Sequence, residues 1–292
     1  YLKDRHIPSR IFFSFNHEDS SPAPKNQCGV NSNGDRIYGG KFADLNEFPW
    51  MALLGYRNRN RTTSYQCSGG LINHRYILTA AHCITGRYLT KYGNLATVRL
   101  GEYNTQNDID CMDSMCADPP QEISVASVYP HPGYSDKNKN RKDDIGIVRL
   151  ATRAQYNYFV QPICLVDNKV RLKTGDDVYV AGWGKTLYVK ESPIKLKVRL
   201  PVFNKDDCVK YYKFFGTLLE ENQLCAGGVF LKDACAGDSG GPLMKMRPEG
   251  VWEAVGVISF SNGCGGDKSP GVYPSVAKYI DWIKNTLKIS NV

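Results

Sequence analysis

Ten cysteines along 292 residues constrain this chain more than any other feature: Cys28, Cys67, Cys83, Cys111, Cys116, Cys164, Cys208, Cys225, Cys235 and Cys264. That number is too high for a typical reducing compartment, and the spacing lacks the paired knuckles of a zinc site. Five disulfides in a secreted, extracellular protein are therefore expected. The length suits one large domain or two small ones, and the even spread of apolar residues favours one continuous globular unit.

Several function classes are excluded early. No apolar run approaches the roughly 18 residues of a membrane span. The net charge is +8, but Lys and Arg are scattered among acids without the basic block that tracks a phosphate backbone, so neither membrane nor nucleic acid is an expected partner. Tyr1 is not an initiator residue and Leu2 to Phe15 carries no long apolar run, as in a processed or trimmed secretory chain. The polar stretch around Asn60-Arg61-Thr62 reads as an exposed loop with an N-glycosylation sequon, used or unused.

Residues 1–36 are punctuated by Pro8, Pro22, Pro24 and Gly34 without sustained periodicity, and read as a linker-like arm. From Ile37 to residue 292, short runs rich in β-branched and aromatic residues recur between turn signals, as in Trp50 to Tyr56, Tyr76 to Thr79, Thr97 to Leu100 and Val178 to Ala181. An all-β sandwich or barrel follows. Behind Ser275, a cap candidate, Val276, Tyr279, Ile280, Ile283 and Leu287 recur at helical steps and predict a closing amphipathic helix.

The chemistry concentrates in Asp233-Ala234-Cys235-Ala236-Gly237-Asp238-Ser239-Gly240-Gly241-Pro242. A serine hydroxyl is a weak nucleophile until a base takes its proton, so Ser239 needs a histidine and a carboxylate to orient it. His82 stands out among five histidines, because it lies in Thr79-Ala80-Ala81-His82-Cys83, where small residues allow close packing and a cysteine can anchor the segment. Asp144, at the entrance to the apolar run Ile145 to Leu150, is the candidate carboxylate, with Asp143 as its competitor. Alone, Asp144 would be a strand-start turn residue and His82 a structural histidine; with Ser239 they become a constellation.

These three motifs, in this order, resemble the chymotrypsin-like (trypsin-family) serine peptidases over residues 37–292. The resemblance implies two packed six-stranded antiparallel Greek-key barrels with a C-terminal α-helix. It implies that Ser239 attacks the scissile carbonyl, His82 moves the proton, Asp144 fixes the imidazole, and the backbone N–H groups of Gly237 and Ser239 form the oxyanion hole. Asp233 matches the base of an Arg/Lys-selective pocket, and Ala234, where many relatives carry serine, shifts the expectation towards arginine. Ser259, Phe260 and Ser261 align with the strand that pairs with substrate, though the family usually has Trp and Gly at the latter two positions. Gly271 would keep the pocket throat open.

The resemblance also implies the pairings Cys67–Cys83, Cys208–Cys225, Cys235–Cys264 and Cys28–Cys164, leaving Cys111 and Cys116 for a local bridge. Asp35-Arg36-Ile37-Tyr38-Gly39-Gly40 is similar to the family's activation site, where cleavage after Arg36 by another trypsin-like protease frees the Ile37 amine to pair with Asp238. Without that cut the chain is a zymogen. Glu102, Asn104, Thr105, Asp108, Asp110, Asp113 and Asp118 supply hard oxygens in one loop. They read as a solvated acidic stretch or, by resemblance, as a structural calcium site using Glu102, Asn104, Thr105 and Asp110.

The loop cysteines, the tethered arm and Gly101 to Thr105 resemble arthropod clip-domain proteases, whose six-cysteine module would lie upstream of Tyr1. A secreted zymogen or proform, cut after Arg during immune or developmental proteolysis, is then the expected substrate. A non-catalytic protease-like cofactor and a coagulation- or digestive-type enzyme are the alternatives; the presence of His82, Asp144 and Ser239 speaks against the first.

Overall fold

The computed structural model describes residues 17–31, 41–184, 191–229, 238–263 and 269–290. Strands β1 (Lys41–Phe42), β2 (Met51–Arg57), β3 (Thr63–Asn73), β4 (Tyr76–Thr79) and β5 (Asn94–Leu100) are followed by a small hairpin, β6 (Cys111–Met112) and β7 (Met115–Cys116), and by β8 (Gln121–Pro130) and β9 (Gly146–Leu150). The second half holds β10 (Cys164–Leu165), β11 (Asp177–Gly182), β12 (Leu196–Pro201), β13 (Gln223–Gly227), β14 (Pro242–Met246), β15 (Trp252–Val257) and β16 (Pro270–Pro274). All four strand runs expected from composition lie within or across observed strands.

Strands β2, β3, β4, β9, β8 and β5 close into a barrel, which leaves none of these strands as a sheet edge. Register shifts at Leu54/Gly55 and Val125/Ser127 insert the bulges that let flat ladders bend into a ring. In the second half, β1-β12-β11-β14-β15-β10 form a six-stranded sheet and β13 pairs with β16. Isolated bridges Val202↔Ala226 and Phe260↔Val272 join that pair to its surroundings. With Gly256↔Ser275 linking β15 to the end of β16, the order β11-β12-β13-β16-β15-β14 closes into a second six-stranded ring, as expected, and β10 pairs with β15 in parallel.

One apolar cluster runs through both halves, with Trp50, Leu71 and Ile77 from the barrel packed in the same core as Leu243, Val255 and Ile283. Phe48 meets the Trp252 ring edge-on at 5.2 Å, and Trp50 Nε1 donates to Met244 Sδ at 3.0 Å. The two halves are thus pinned along a seam.

Helix α3 (Val276–Ile289) buries the five expected apolar residues. Ser275 holds the N-cap position, but its hydroxyl makes no capping bond. Helices α1 (Gly86–Tyr92) and α2 (Lys205–Phe214) were not legible as apolar periodicity, because α1 buries no side chain and α2 only Cys208 and Tyr212. Helix α2 is specified by its ends: the Asn204 side chain accepts from Asp207 N, acids sit in the first turn and Lys213 in the last.

Over residues 17–31 the expected linker-like arm is packed, not free. Asp19 meets Arg75 and Arg153 at 2.9–3.1 Å, Gly29 N donates to Pro162 O, and Trp252 N donates to Gly29 O. Cys28 is bonded to Cys164. The pairs Cys67–Cys83, Cys111–Cys116 and Cys208–Cys225 are also formed. Cys235 and Cys264 lie outside the described residues.

Candidate active site

His82 stands on the short 3₁₀ turn Ala81–Ile84 that follows β4. Three ties fix the turn: Cys83 is bonded to Cys67 in β3, Tyr56 Oη donates to Cys83 O at 2.7 Å, and Cys83 N donates to Ala80 O. Gly146 lets it close on the barrel, since a Cβ there would lie 2.5 Å from Ile84 Cδ1. This glycine explains why the Asp144-Ile145-Gly146 segment can approach the histidine.

Asp143 and Asp144 separate at this point. Asp143 has φ +56°, an uncommon left-handed conformation for a side-chain-bearing residue, and its carboxylate accepts from Tyr279 Oη at 2.7 Å and Asn222 Nδ2 at 2.9 Å. Asp144 turns the other way and is fully buried. Its Oδ1 accepts from His82 N, and its Oδ2 lies 2.8 Å from His82 Nδ1, so one carboxylate grips both backbone and ring. Ser259 Oγ also donates to Oδ2, at 2.5 Å. Burial pushes the Asp144 carboxyl up, but the His82 ring beside it and the hydrogen bonds from His82 and Ser259 outweigh that and leave it below the usual carboxylate range.

Ser239 comes to the same place from the other half. Its carbonyl accepts from Ser68 N at 2.8 Å, and the Cys83 sulfur lies 3.5 Å from His82 Nε2 and 3.6 Å from that carbonyl. The following residue has to be glycine: Gly240 has φ +83°, and a Cβ there would meet Thr79 Oγ1 at 2.2 Å and Ser68 O at 2.5 Å. Asp238 Oδ1 accepts from Gly184 N at 2.8 Å, and Gly182 and Gly184 leave the room its carboxylate fills. Cys67, His82 and Cys83 also cluster, but both sulfurs are spent in a disulfide and offer no thiolate to a metal.

The remaining expected residues divide. Ser259 and Phe260 share a backbone ladder with Val272, next to Gly271. A Cβ on Gly271 would meet Tyr273 Oη at 2.8 Å. The Ser261 hydroxyl donates to Gly263 O at 2.9 Å. Arg36, Ile37, Asp233, Ala234 and Gly237 lie outside the described residues. Asn60 is exposed in the β2–β3 connection, as a sequon requires. His74 stacks on Tyr156 at 3.6 Å and His131 packs against Tyr279 and Trp282, which gives both structural roles.

Two contributors had no motif to mark them. The hydroxyl of Ser259, read from sequence only as part of a substrate strand, is a third donor to Asp144. Arg141, with φ +46°, places Nη1 3.3 Å from Ser259 O and 3.9 Å from Asp144 Oδ2. It shares a small cleft of about 110 Å³ with His82, Arg87, Tyr88, Tyr134 and Asp136.

The four expected calcium ligands gather, but not as an open oxygen cage. Asp110 Oδ2 accepts from Asn104 N and Oδ1 from Asn107 Nδ2; the Asn104 carbonyl accepts from Asn107 N and its side-chain oxygen from Gln106 N. Thr105 Oγ1 donates to Pro193 O, and buried Glu102 faces Arg99 Nη1 at 3.1 Å. The ammonium of Lys195 is buried in the field of Glu47, Glu102 and Asp110. Arg99 and Lys195 bring positive charge to the loop, while the buried Glu102 Oε2 accepts no hydrogen bond among the described residues. Asp108, Asp113 and Asp118 are exposed.

Comparison with known proteins agrees with this geometry. Residues 37–283 match the family model described as Trypsin. The chain is 70% identical over 275 residues to phenoloxidase-activating enzyme 1 of Spodoptera litura, covering 94% of this chain and 73% of that protein. It is 47% identical over 273 residues to CLIP domain-containing serine protease B9 of Anopheles gambiae, covering 91% and 67%. The crystal structure of the Drosophila Grass clip serine protease of the Toll pathway superposes with a TM-score of 0.76 at 28% identity, covering 95% of this chain and 77% of that one.

Proposed function

Because the chain belongs to the trypsin family of serine proteases, we propose that it is a secreted endopeptidase with Ser239, His82 and Asp144 as its catalytic triad, cutting after arginine in preference to lysine. The observation that carries this is the grip of Asp144 on His82 through both the backbone N–H and Nδ1, with the Ser239 carbonyl 3.6 Å from the Cys83 sulfur, which itself lies 3.5 Å from Nε2.

In this scheme, Asp144 holds the Nδ1 proton in place, which leaves Nε2 free to take the Ser239 hydroxyl proton as Oγ attacks the carbonyl carbon. The resulting imidazolium is stabilised by the same carboxylate and returns the proton to the leaving amine. Water then repeats the sequence on the acyl-enzyme. The N–H groups of Gly237 and Ser239 receive the oxyanion, and Asp233 with Ala234 favours the bidentate guanidinium fork over the single ammonium of lysine.

Control would lie at Arg36-Ile37. A trypsin-like activator cuts there, the new Ile37 ammonium pairs with Asp238, and the Cys28–Cys164 bond keeps the arm attached. The relatives' names and the disulfide set support action in an extracellular arthropod cascade on another secreted proform. Prophenoloxidase activation, with melanisation, is the leading role, and Toll-ligand processing the second.

Amidase activity on matched Arg and Lys peptides before and after cleavage at Arg36, with Ser239→Ala as control, tests the whole scheme. Activity that appears only after cleavage, favours Arg and vanishes in the control is expected. A confirmed cut without activity would instead support a non-catalytic cofactor; equal cleavage after Lys would defeat the arginine preference.

A further inference from the structure

The turn that joins β2 to β3 sets a glycosylation sequon between two arginines. It reads Asn58-Arg59-Asn60-Arg61-Thr62, so the acceptor Asn60 follows one arginine and precedes the other. Every residue from Arg57 to Thr63 is exposed. An N-glycan needs such a surface loop, and so does a protease, since exposed loop tips are where chains are preferentially nicked. One short stretch meets both requirements, and a sugar on Asn60 would stand beside either scissile bond.

The turn is lightly held. Asn58 N donates to Thr62 O at 3.1 Å, Arg61 N to Asn58 O at 3.0 Å, and Thr62 N to Asn58 Oδ1 at 3.1 Å. Arg61 has φ +61°, a left-handed conformation that costs a residue with a side chain, so extending the chain relieves strain. Because the whole segment already faces water, opening exchanges these bonds for hydration and uncovers no core. Opened, it presents Arg59 and Arg61 to an arginine-directed protease. The cleft beside His82 in this chain measures about 110 Å³ between Arg87, Tyr88, Tyr134 and Arg141, which leaves no room for a branched oligosaccharide next to the residue being cut.

A cut in the turn would reach the active site through β3. Thr63, Ser64 and Tyr65 pair with Arg57, Tyr56 and Gly55, and Gln66 O accepts from Tyr88 Oη at 2.8 Å. The Tyr88 ring stands 5.6 Å from that of His82. A new chain end after Arg59 or Arg61 frees this strand to fray back to Cys67, where the bond to Cys83 stops it, and takes support from one wall of the cleft.

We propose that an N-glycan on Asn60 shields the Arg59–Asn60 and Arg61–Thr62 bonds from arginine-directed proteolysis, by other copies of this enzyme and by the proteases it works among. Hydrolysis adds water across the peptide bond and leaves an arginine carboxylate and a new amino terminus. Cutting by other copies rests on the protease reading above; the shield against other proteases does not.

The test compares the chain secreted from insect cells as wild type, Asn60→Gln and Thr62→Ala, two variants that remove the sequon in different ways. Glycopeptide mass spectrometry should find the sugar on Asn60 of the wild type, and an unmodified Asn60 overturns the proposal. After cleavage at Arg36 and incubation, the wild type should keep β2 and β3 on one chain. Both variants should acquire new amino termini after Arg59 or Arg61 and lose arginine amidase activity in step. Adding Arg59→Gln and Arg61→Gln to Asn60→Gln should restore both the intact chain and its activity. Variants that stay as intact as the wild type overturn the self-cutting. The same set carrying Ser239→Ala, challenged with added trypsin, reads the shield without self-cutting: faster nicking of the turn in the sequon variants is expected, and equal nicking overturns the shield. A wild type with no amidase activity defeats the protease reading, while the trypsin challenge still decides the shield. Should the variants fail to be secreted, enzymatic release of the sugar from the folded wild type replaces them, with the same two outcomes.

Discussion

Asp144 and Glu102 are two buried carboxylates with opposite fates. Each has lost nearly all contact with water, at 0% and 2% exposure, and burial alone pushes both towards the neutral form. Asp144 nevertheless ends below the usual carboxylate range and Glu102 above it. Donors make the difference. Asp144 receives the His82 backbone, the His82 ring and the Ser259 hydroxyl, whereas Glu102 receives Tyr103 N and relies on Arg99 and Lys195 to balance its charge. A carboxylate kept ionised by aimed hydrogen bonds can steady an imidazole through a proton transfer. One balanced mainly by neighbouring cations is suited to holding a loop.

Breaking the stronger arrangement should have the largest effect. Asp144→Asn is expected to lower kcat by about 10⁴-fold, the loss characteristic of chymotrypsin-like enzymes when this carboxylate becomes an amide. Steady-state kinetics on an arginine amide substrate after cleavage at Arg36 measures it, and a loss below tenfold would deny Asp144 its role.

The Glu102 loop should answer to pH through its cation. Burial lowers the Lys195 ammonium to about 8, while the unfolded chain keeps it near 10.5. Between those values the unfolded state binds more protons, so this group makes stability rise with pH across that window and contributes no slope below or above it. Lys195→Met should remove that rise, by up to ~3 kcal/mol at about 1.4 kcal/mol per pKa unit. Urea denaturation of both proteins at pH 7.5 and 10 measures the difference, and parallel slopes would contradict it.

Ser259→Ala takes one donor from Asp144 and leaves the other two. A charge-assisted hydrogen bond of this kind contributes about 1.5–3 kcal/mol, so kcat/KM should fall roughly ten- to a hundredfold. The acid side should move too. Asp144's depressed value stabilises the fold above about pH 4, the ordinary carboxylate value, and that stability is lost as pH falls through the folded value. In Ser259→Ala the loss begins at higher pH, and acid titration followed by near-ultraviolet circular dichroism would show it.

The smallest expected effect is that of calcium. With Arg99 and Lys195 already beside Glu102, a millimolar addition or its chelation should leave Tm unchanged. A rise with saturating concentration dependence would mean that the loop reopens for the ion.

Motif spacing made the triad legible, because His82, Asp144 and Ser239 each sit in a segment whose neighbours are as informative as the residue itself. Asp143 and Asp144 could not be separated in one dimension; a positive φ at 143 sends the two side chains to different partners. The cationic surroundings of the acidic loop were hidden for a related reason. Lys195 lies far along the chain in a run with no acidic pattern, and only the pairing of its segment with Tyr103 brings its charge to the loop. Gly146 and the Ser259 hydroxyl were equally silent, since their importance is set by what approaches them.

By itself, the sequence determined the all-β class, the closing helix and the residues able to do nucleophilic chemistry. Strand alternation, helical spacing and hydroxyl-imidazole-carboxylate reactivity are local properties that survive in a linear string. Tertiary structure decided which of two adjacent aspartates grips His82 and which cation balances Glu102. Each of those outcomes depends on a distance between residues remote in the chain, and only the closed barrel and its seam with the second ring set such distances.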